Sequence, residues 1–205
     1  MKIIYKDGHV DECPQDQELH VIRHTAAHVM AQAIKRLYPE ADFAFGPATE
    51  NGFYYDVDLG DTKLTDEDLA NIEKEMHKIT KENLAIKPFI LPRAEAVKLM
   101  EERHENYKVE HMADLADETE FSFFQQGEYV DMCIGPHLTY TKAPPFRFAR
   151  YATEVFGIRP GSMNETELAR RGIAATESFF PSTPFSHQSR HHCCSHLLHL
   201  PAAFL

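Results

Sequence analysis

The chain has 205 residues, of which 43% are hydrophobic and 26% are charged, and its formal net charge is −11 at pH 7. This composition is typical of a globular protein of one domain, or of one domain with an appendage. The negative charge argues against a protein that coats nucleic acid without sequence preference, because such binding depends on neutralising phosphates. No stretch is apolar enough to cross a bilayer and the N-terminus has no signal-peptide core, so we expect a cytoplasmic protein with no membrane partner.

Short strands and one long helix are predicted in the N-terminal part of the chain. From about Leu19 to Leu37, apolar residues recur at helical spacing. Tyr38-Pro39 ends this helix, because proline cannot continue it. Strands are predicted at 2–5, 42–46 and 52–59. The last of these alternates apolar and polar residues, which favours a sheet with one buried face.

Helices and strands continue to alternate after residue 60. Thr65-Asp-Glu-Asp68 has the form of a capping box and opens a charged amphipathic helix that runs to about Asn83. Pro92 suits the first turn of a helix that runs to about Arg103. Strands are predicted at 86–91, 107–110, 120–124 and 128–132. The short connections favour an α+β fold: a largely antiparallel sheet with helices packed on one side, followed by an irregular C-terminal tail.

The composition changes abruptly after Lys142. Residues 143–205 contain six arginines but no lysine and no aspartate, and they are rich in Ser, Pro, Ala and His. We expect residues 144–205 to be a disordered or out-of-frame extension, apart from a short helix near 165–171. A His- and Cys-rich run at 191–199 lies in this tail, and we expect no function for it because no helix or strand pattern surrounds it.

Two pairs of residues form a candidate metal or catalytic site. His24 and His28 are four residues apart in the predicted first helix, so both imidazoles leave the same helix face. Cys133 and His137 form a second pair about a hundred residues later. Each pair alone is weak evidence, since histidine often binds the backbone and cysteine is commonly a small buried apolar residue. Together they have the types and number of ligands that tetrahedral zinc accepts.

Four segments of the chain resemble the second additional, or editing, domain that threonyl- and alanyl-tRNA synthetases share. They are Arg-His-Thr-Ala-Ala-His at 23–28, Gly-Pro-Ala-Thr-Glu-Asn-Gly-Phe-Tyr-Tyr-Asp-Val-Asp at 46–58, Tyr-Lys-Val at 107–109, and Tyr-Val-Asp-Met-Cys-Ile-Gly-Pro-His at 129–137. The Gly-Phe-Tyr-Tyr-Asp segment favours the threonyl branch. On this resemblance, residues 1–19 are an N-terminal strand and linker without the usual ubiquitin-like domain, 20–143 are the editing domain, and 144–205 are the atypical tail.

The resemblance implies hydrolysis of the ester in seryl-tRNA(Thr), the product of mischarging. It implies catalytic roles for His24, His28, Lys108, Cys133 and His137. It further implies that Asp131 binds the amine or hydroxyl of serine and that Tyr55 shapes the pocket. The expected partner is the 3′ end of tRNA(Thr) carrying serine.

The cofactors implied by the resemblance differ between the two branches. Editing in the threonyl branch requires none, whereas alanyl relatives bind zinc through the positions of His24, His28, Cys133 and His137. ATP and Mg²⁺ belong to the ligase core of the parent enzyme, and the motifs of that core are not found in this sequence. The parent enzyme is expected to be a homodimer. We therefore expect a truncated or frame-shifted fragment that cannot carry out ligation. Two alternatives stay open: a catalytically silent synthetase fragment, and a zinc-dependent hydrolase of another ester.

Overall fold

A computed structural model describes residues 1–49 and 52–142, together with the backbone of 197–203. These residues form four helices and ten strands, which confirms the predicted α+β class. The helices are α1 (Glu18–Leu37), α2 (Asp66–Glu82), α3 (Arg93–Glu102) and α4 (Asn106–Asp114). The strands are β1 (Lys2–Ile4), β2 (Val10–Glu12), β3 (Asp42–Phe43), β4 (Ala48–Thr49), β5 (Gly52–Asp58), β6 (Ile86–Pro92), β7 (Glu120–Gln126), β8 (Tyr129–Met132), β9 (His137–Leu138) and β10 (Leu197–Ala203).

Helix α1 forms the centre of the larger hydrophobic core. Every residue from Thr25 to Ile34 is buried, so this part of the helix is covered on all its faces. It packs against α2 and β5, and its alanines allow these elements to approach closely. The helix ends at Leu37, before Tyr38-Pro39, as predicted. None of the four described helices combines the length and the apolar character that a membrane span needs.

The strands form three small antiparallel sheets instead of the single sheet that we predicted. Their orders are β2-β1-β9, β10-β5-β3 with β4 paired to β5, and β6-β7-β8. In the first sheet β1 pairs with β9, with Ile3 opposite Leu138 and Ile4 opposite His137. Strand β9 is only two residues long, so its place depends on this pairing.

The predicted strand at 107–110 is wrong, because these residues lie in helix α4. Tyr107 and Val109 alternate with charged residues over four positions, which imitates a strand. In the helix, Lys108 and Met112 lie one turn apart on the buried face, while Tyr107 and Val109 are only half-buried. Met112 joins a second core between α3, α4 and the β6-β7-β8 sheet. A buried face that includes a lysine cannot be recognised from hydrophobic spacing.

Part of the tail forms a strand that the sequence analysis did not predict. Strand β10 pairs with the whole length of β5, from Leu197 opposite Asp58 to Ala203 opposite Gly52. The predicted helix near 165–171 and the side chains of the run at 191–199 lie outside the described residues.

Candidate functional site

The two predicted pairs of residues meet in one cluster, which we call the His/Cys cluster: His24, His28, Cys133 and His137. One candidate ligand atom from each residue lies within 4.8 Å of those from the other three. Cys133 Sγ is 3.2 Å from His24 Nε2 and 3.3 Å from His137 Nε2. The ring centroid of His137 is 4.1 Å from that of His24 and 4.1 Å from that of His28. Helix α1 therefore contributes two imidazoles to the cluster, and the β8–β9 segment contributes the thiol and the third imidazole.

The loop between β8 and β9 is fixed by short-range contacts. Gly135 has a φ of +66°, and a Cβ at this position would lie 2.6 Å from the ring of Phe124. This position therefore needs glycine, for its backbone conformation and for the space it leaves. The backbone N–H of Gly135 donates to Cys133 Sγ at 3.3 Å. Ser122 on β7 accepts from the Cys133 N–H at 3.0 Å through its backbone carbonyl, and its hydroxyl donates to the Cys133 carbonyl at 2.7 Å.

The His/Cys cluster is uncharged at neutral pH. Burial is the largest cause that lowers the pKa of His24 to about 3, and repulsion from His28 adds to it. Burial likewise lowers the pKa of His28 to about 4, and it holds the pKa of His137 well below its ordinary value. Burial raises the pKa of the Cys133 thiol to about 12. Three neutral imidazoles and a thiol can therefore offer lone pairs to a water, a proton or a metal ion.

A second group, the Lys108–Asp131 network, lies directly behind the cluster. Lys108 Nζ donates to Asp131 Oδ1 at 2.7 Å and to the Tyr55 hydroxyl at 3.2 Å. The Tyr55 hydroxyl in turn donates to Asp131 Oδ2. Lys108 and Asp131 are each 2% exposed. Burial alone would raise the pKa of Asp131, but Lys108 and His28 together hold it below its ordinary value, so the carboxylate remains ionised.

His28 joins the two groups. Its Nε2 atom is 3.4 Å from Asp131 Oδ2, and its Nδ1 atom is buried without a hydrogen-bond partner among the described residues. A neutral imidazole that donates from Nε2 has a lone pair on Nδ1, so Nδ1 is an acceptor without a donor. An unpaired buried acceptor costs about 1–3 kcal/mol. All seven sequence-predicted site residues thus lie in one continuous group.

The cluster is accessible from the side of the β8–β9 loop. His24 and Cys133 are partly exposed, whereas His28 and His137 are buried. Ile134, at the tip of the loop, is 77% exposed. His20 is exposed and its ring centroid is 6.4 Å from that of His24. The sequence analysis missed His20, although it continues the four-residue spacing of His24 and His28 by one turn.

Two other side chains that the sequence analysis missed support the site from inside. Thr25 Oγ1 is 3.3 Å from His137 Nδ1, and the Tyr129 hydroxyl is 3.3 Å from Asp131 Oδ2. A buried threonine within an apolar helix is a signal that could have pointed to Thr25. Tyr129 lies two residues before Asp131 on β8, so the two side chains share a face of the strand, but this spacing alone does not show that they touch.

The dimensions of the His/Cys cluster fit a tetrahedral metal ion. Zinc bonds of about 2.0–2.3 Å place tetrahedral ligand atoms roughly 3.3–3.8 Å apart. The two distances from Cys133 Sγ, 3.2 and 3.3 Å, lie at or just below this range. All pairs of ligand atoms lie within 4.8 Å, so the side chains would need only small movements to bind one ion. The cluster could therefore hold a metal ion, with loss of the thiol proton on binding.

Comparison with known proteins gives one consistent result. No protein-family model matches the chain. The threonine–tRNA ligase of Clostridioides difficile strain 630 is 59% identical over 122 residues, which is 60% of this chain. The threonine–tRNA ligase of Clostridium acetobutylicum is 57% identical over 120 residues, and that of Carboxydothermus hydrogenoformans is 51% identical over 126 residues, or 58% and 62% of this chain. The chain spans about 19% or 20% of the length of these relatives.

These similarities show that the chain contains a region related to aminoacyl-tRNA synthetases. Within that class the similarity is to threonine–tRNA ligases, at 51–59% identity over about 60% of this chain. The predicted resemblance to threonyl-tRNA synthetases is therefore confirmed.

Proposed function

We propose that the chain is an editing deacylase that hydrolyses the ester between serine and the 3′ end of tRNA(Thr). The observation that carries the proposal is the uncharged His/Cys cluster beside the buried Lys108–Asp131 pair, in a chain similar to threonine–tRNA ligases. The proposed reaction takes place in the cytosol and needs neither ATP nor Mg²⁺. It does not require the homodimer expected of the parent enzyme, because the whole site lies within one chain.

A separate hydrolytic site is useful because serine is hard to exclude from a site built for threonine. The two amino acids differ by one methyl group, which is worth only about 1–3 kcal/mol of discrimination in a binding pocket. A second site that accepts serine and sterically refuses threonine removes the wrong product.

In the proposed reaction, the oxygen of a water attacks the ester carbonyl carbon. The bond from this carbon to the ribose oxygen breaks, a proton from the water passes to the ribose oxygen, and serine and tRNA are released. His24 is the accessible imidazole, so we assign it the attacking water. A pKa near 3 makes His24 a weak base at pH 7, so it contributes by orienting the water and passing its proton on.

The Lys108–Asp131 network supplies charge to the site. The Lys108 ammonium is fixed by Asp131 and Tyr55, so its field is oriented before the oxyanion of the transition state forms. Asp131 also receives the weaker contacts of Tyr129 at 3.3 Å and His28 at 3.4 Å. The ammonium of serine would replace one of these two contacts, since they are the longest that Asp131 makes. Tyr55 then closes the pocket behind the substrate.

Zinc is the metal ion whose preferred ligands the His/Cys cluster offers. Zinc polarises a carbonyl or activates water only where it keeps an open coordination position. With His24, His28, Cys133 and His137 all bound, no such position is left. The four residues would then hold zinc as a structural ion, which disfavours the alternative of a zinc-dependent hydrolase.

Release of serine from seryl-tRNA(Thr) by the purified chain tests the proposal. We expect release above the spontaneous rate, little release of threonine from threonyl-tRNA(Thr), and at least a tenfold loss of rate in His24→Ala. His77→Ala is the matched control, because His77 is exposed on α2 and away from the cluster. A folded chain that releases no serine above the spontaneous rate contradicts the proposal.

The alternative of a silent fragment is distinguished by binding. A chain with a net charge of −11 has little attraction for RNA of its own. Titration with tRNA(Thr) at low and moderate salt measures this attraction directly. Weak or absent binding together with no hydrolysis supports the silent fragment, whereas hydrolysis excludes it.

A further inference from the structure

Thr25 places a buried hydroxyl between the backbone of β9 and the ring of His137. The residue is 0% exposed in the middle of α1. The backbone N–H of Leu138 donates to its Oγ1 atom at 3.0 Å, and His137 Nδ1 lies 3.3 Å from the same atom. The Leu138 N–H can only donate, so it occupies a lone pair of the hydroxyl oxygen and leaves the hydroxyl hydrogen for another acceptor.

We propose that the Thr25 hydroxyl donates this hydrogen to His137 Nδ1 and so holds His137 in the tautomer with its proton on Nε2. Among the described residues, Nδ1 is the one acceptor that the hydroxyl contacts. A neutral imidazole carries one proton, so a ring that accepts at Nδ1 must carry that proton on Nε2. The opposite tautomer would leave the buried hydroxyl hydrogen without an acceptor, which is costly.

The Cys133 sulfur provides the acceptor that this tautomer needs. Its Sγ atom is 3.3 Å from His137 Nε2 and also accepts the backbone N–H of Gly135 at 3.3 Å. A thiol can accept weakly at its sulfur lone pairs in addition to carrying its own hydrogen. Each donor in this row of contacts, the Leu138 N–H, the Thr25 hydroxyl and the His137 Nε2–H, then has an acceptor.

This tautomer determines what the entry of a metal ion requires. A metal ion needs a lone pair on His137 Nε2, so the proton of the ring would have to move to Nδ1 before zinc could bind there. The Nδ1–H group would then donate to Thr25 Oγ1, and the hydroxyl hydrogen would lose its acceptor. Thr25 therefore stabilises the metal-free cluster. These hydrogen bonds form without any substrate, so the role of Thr25 does not rest on the proposed deacylase function.

Thr141 provides a matched control for Thr25. It is also a threonine with 0% exposure, and its Oγ1 atom accepts a backbone N–H, that of Leu84, at 2.9 Å. Its own hydroxyl donates to the Ile79 carbonyl at 3.1 Å, so neither of these two hydrogen bonds involves the His/Cys cluster. Substitution by valine removes a buried hydroxyl of the same kind from each site, so the two variants should lose stability to a similar extent.

The experiment is a long-range ¹H–¹⁵N correlation spectrum of the imidazoles in the full chain, recorded without metal. The chain has 13 histidines, so the signals of His137 are identified by their loss in His137→Gln. We expect the Nε2–H tautomer for His137 in the wild-type chain, in Thr141→Val and in Thr25→Ser, which keeps the hydroxyl. We expect a mixed or reversed tautomer in Thr25→Val, because Nδ1 has lost its donor. An Nδ1–H tautomer in the wild-type chain, or an unchanged tautomer in Thr25→Val, overturns the proposal.

Titration with zinc alone gives a second readout. In Thr25→Val, Nδ1 lacks a partner with or without zinc, so zinc binding leaves no further polar group unpaired. We therefore expect Thr25→Val to bind zinc about 5–100-fold more tightly than Thr141→Val, and Thr25→Ser to bind it as the wild-type chain does. Equal affinities in the two valine variants, or weaker binding by Thr25→Val, would overturn the role of Thr25 in stabilising the metal-free cluster. If the tautomer and zinc results hold but no variant hydrolyses seryl-tRNA(Thr), the deacylase proposal fails while the role of Thr25 stands.

Discussion

Replacing Lys108 by methionine tests whether the buried charge pair stabilises the site. Lys108 and Asp131 are each 2% exposed and their charged atoms are 2.7 Å apart. Methionine has a similar length but no charge, so Lys108→Met leaves Asp131 as an uncompensated buried carboxylate. Removal of one partner of a buried pair costs about 3–5 kcal/mol. Since domains are stable by only about 5–15 kcal/mol, the free energy of unfolding should fall by a large fraction.

The pH dependence of stability should also change sign in this variant. In the wild-type chain the pKa of Asp131 is lowered on folding. Its contribution to the free energy of unfolding is therefore present above the pKa of the unfolded chain, about 3.9, and is lost as the pH falls through the folded pKa. Without Lys108, burial becomes the dominant effect on Asp131 and raises its folded pKa. The contribution is then present below about pH 3.9 and is lost as the pH rises through the folded pKa. The deficit of Lys108→Met should therefore be larger at pH 7 than at pH 4.5.

Urea denaturation at several pH values measures both effects. Lys98→Met is the matched control, because Lys98 lies 3.8 Å from Glu102 in a pair whose side chains are 75% and 64% exposed, and we expect little change in stability. The double variant Lys108→Met, Asp131→Asn removes both charges and should recover much of the loss. A cost below about 1 kcal/mol for Lys108→Met, or a double variant no more stable than the single one, would refute the argument from buried charge.

Two further predictions concern the β8–β9 loop and the metal. Gly135→Ala should destabilise the fold by about 1–3 kcal/mol and lower the affinity for zinc. The reason is that alanine is strained at a φ of +66° and its Cβ would meet the ring of Phe124. A thermal melt that shows no loss of stability would contradict this. Zinc at a hundred times its dissociation constant should stabilise the wild-type chain by about 2.7 kcal/mol and should stabilise Cys133→Ser much less. If parallel melts show equal stabilisation of the wild-type chain and the variant, zinc binds elsewhere.

Local features of the fold could be predicted from the sequence because they depend on neighbouring residues. The capping box is an example: the Asp68 N–H donates to Thr65 Oγ1 at 3.3 Å, and the Thr65 N–H donates to the Asp68 carboxylate at 2.8 Å. The shared helix face of His24 and His28 is another, since four-residue spacing determines it. The end of α1 before Pro39 is a third, because proline lacks the N–H that the helix needs.

Features that depend on distant residues could not be predicted from spacing alone. The meeting of His24 with Cys133 joins residues 109 positions apart. The types of the four residues suggested it and the family resemblance supported it, but spacing along the chain did not determine it. The burial of Lys108 depends on Asp131 and Tyr55, so hydrophobic periodicity gave a strand where α4 lies. The division into three sheets likewise depends on which strands pair, as with β1 and β9.

The site is assembled where all three sheets meet α1, and this explains why so much of the chain is needed to form it. Tyr55 comes from β5, Asp131 from β8 and His137 from β9, and these strands belong to three different sheets. Each sheet therefore fixes one side chain against the two imidazoles of α1. The N-terminal strand β1 has a direct part in this arrangement, because Ile4 pairs with His137 and Ile3 with Leu138. Residues 1–19, which the resemblance presents as a strand and linker outside the editing domain, thus help to hold the third imidazole in place.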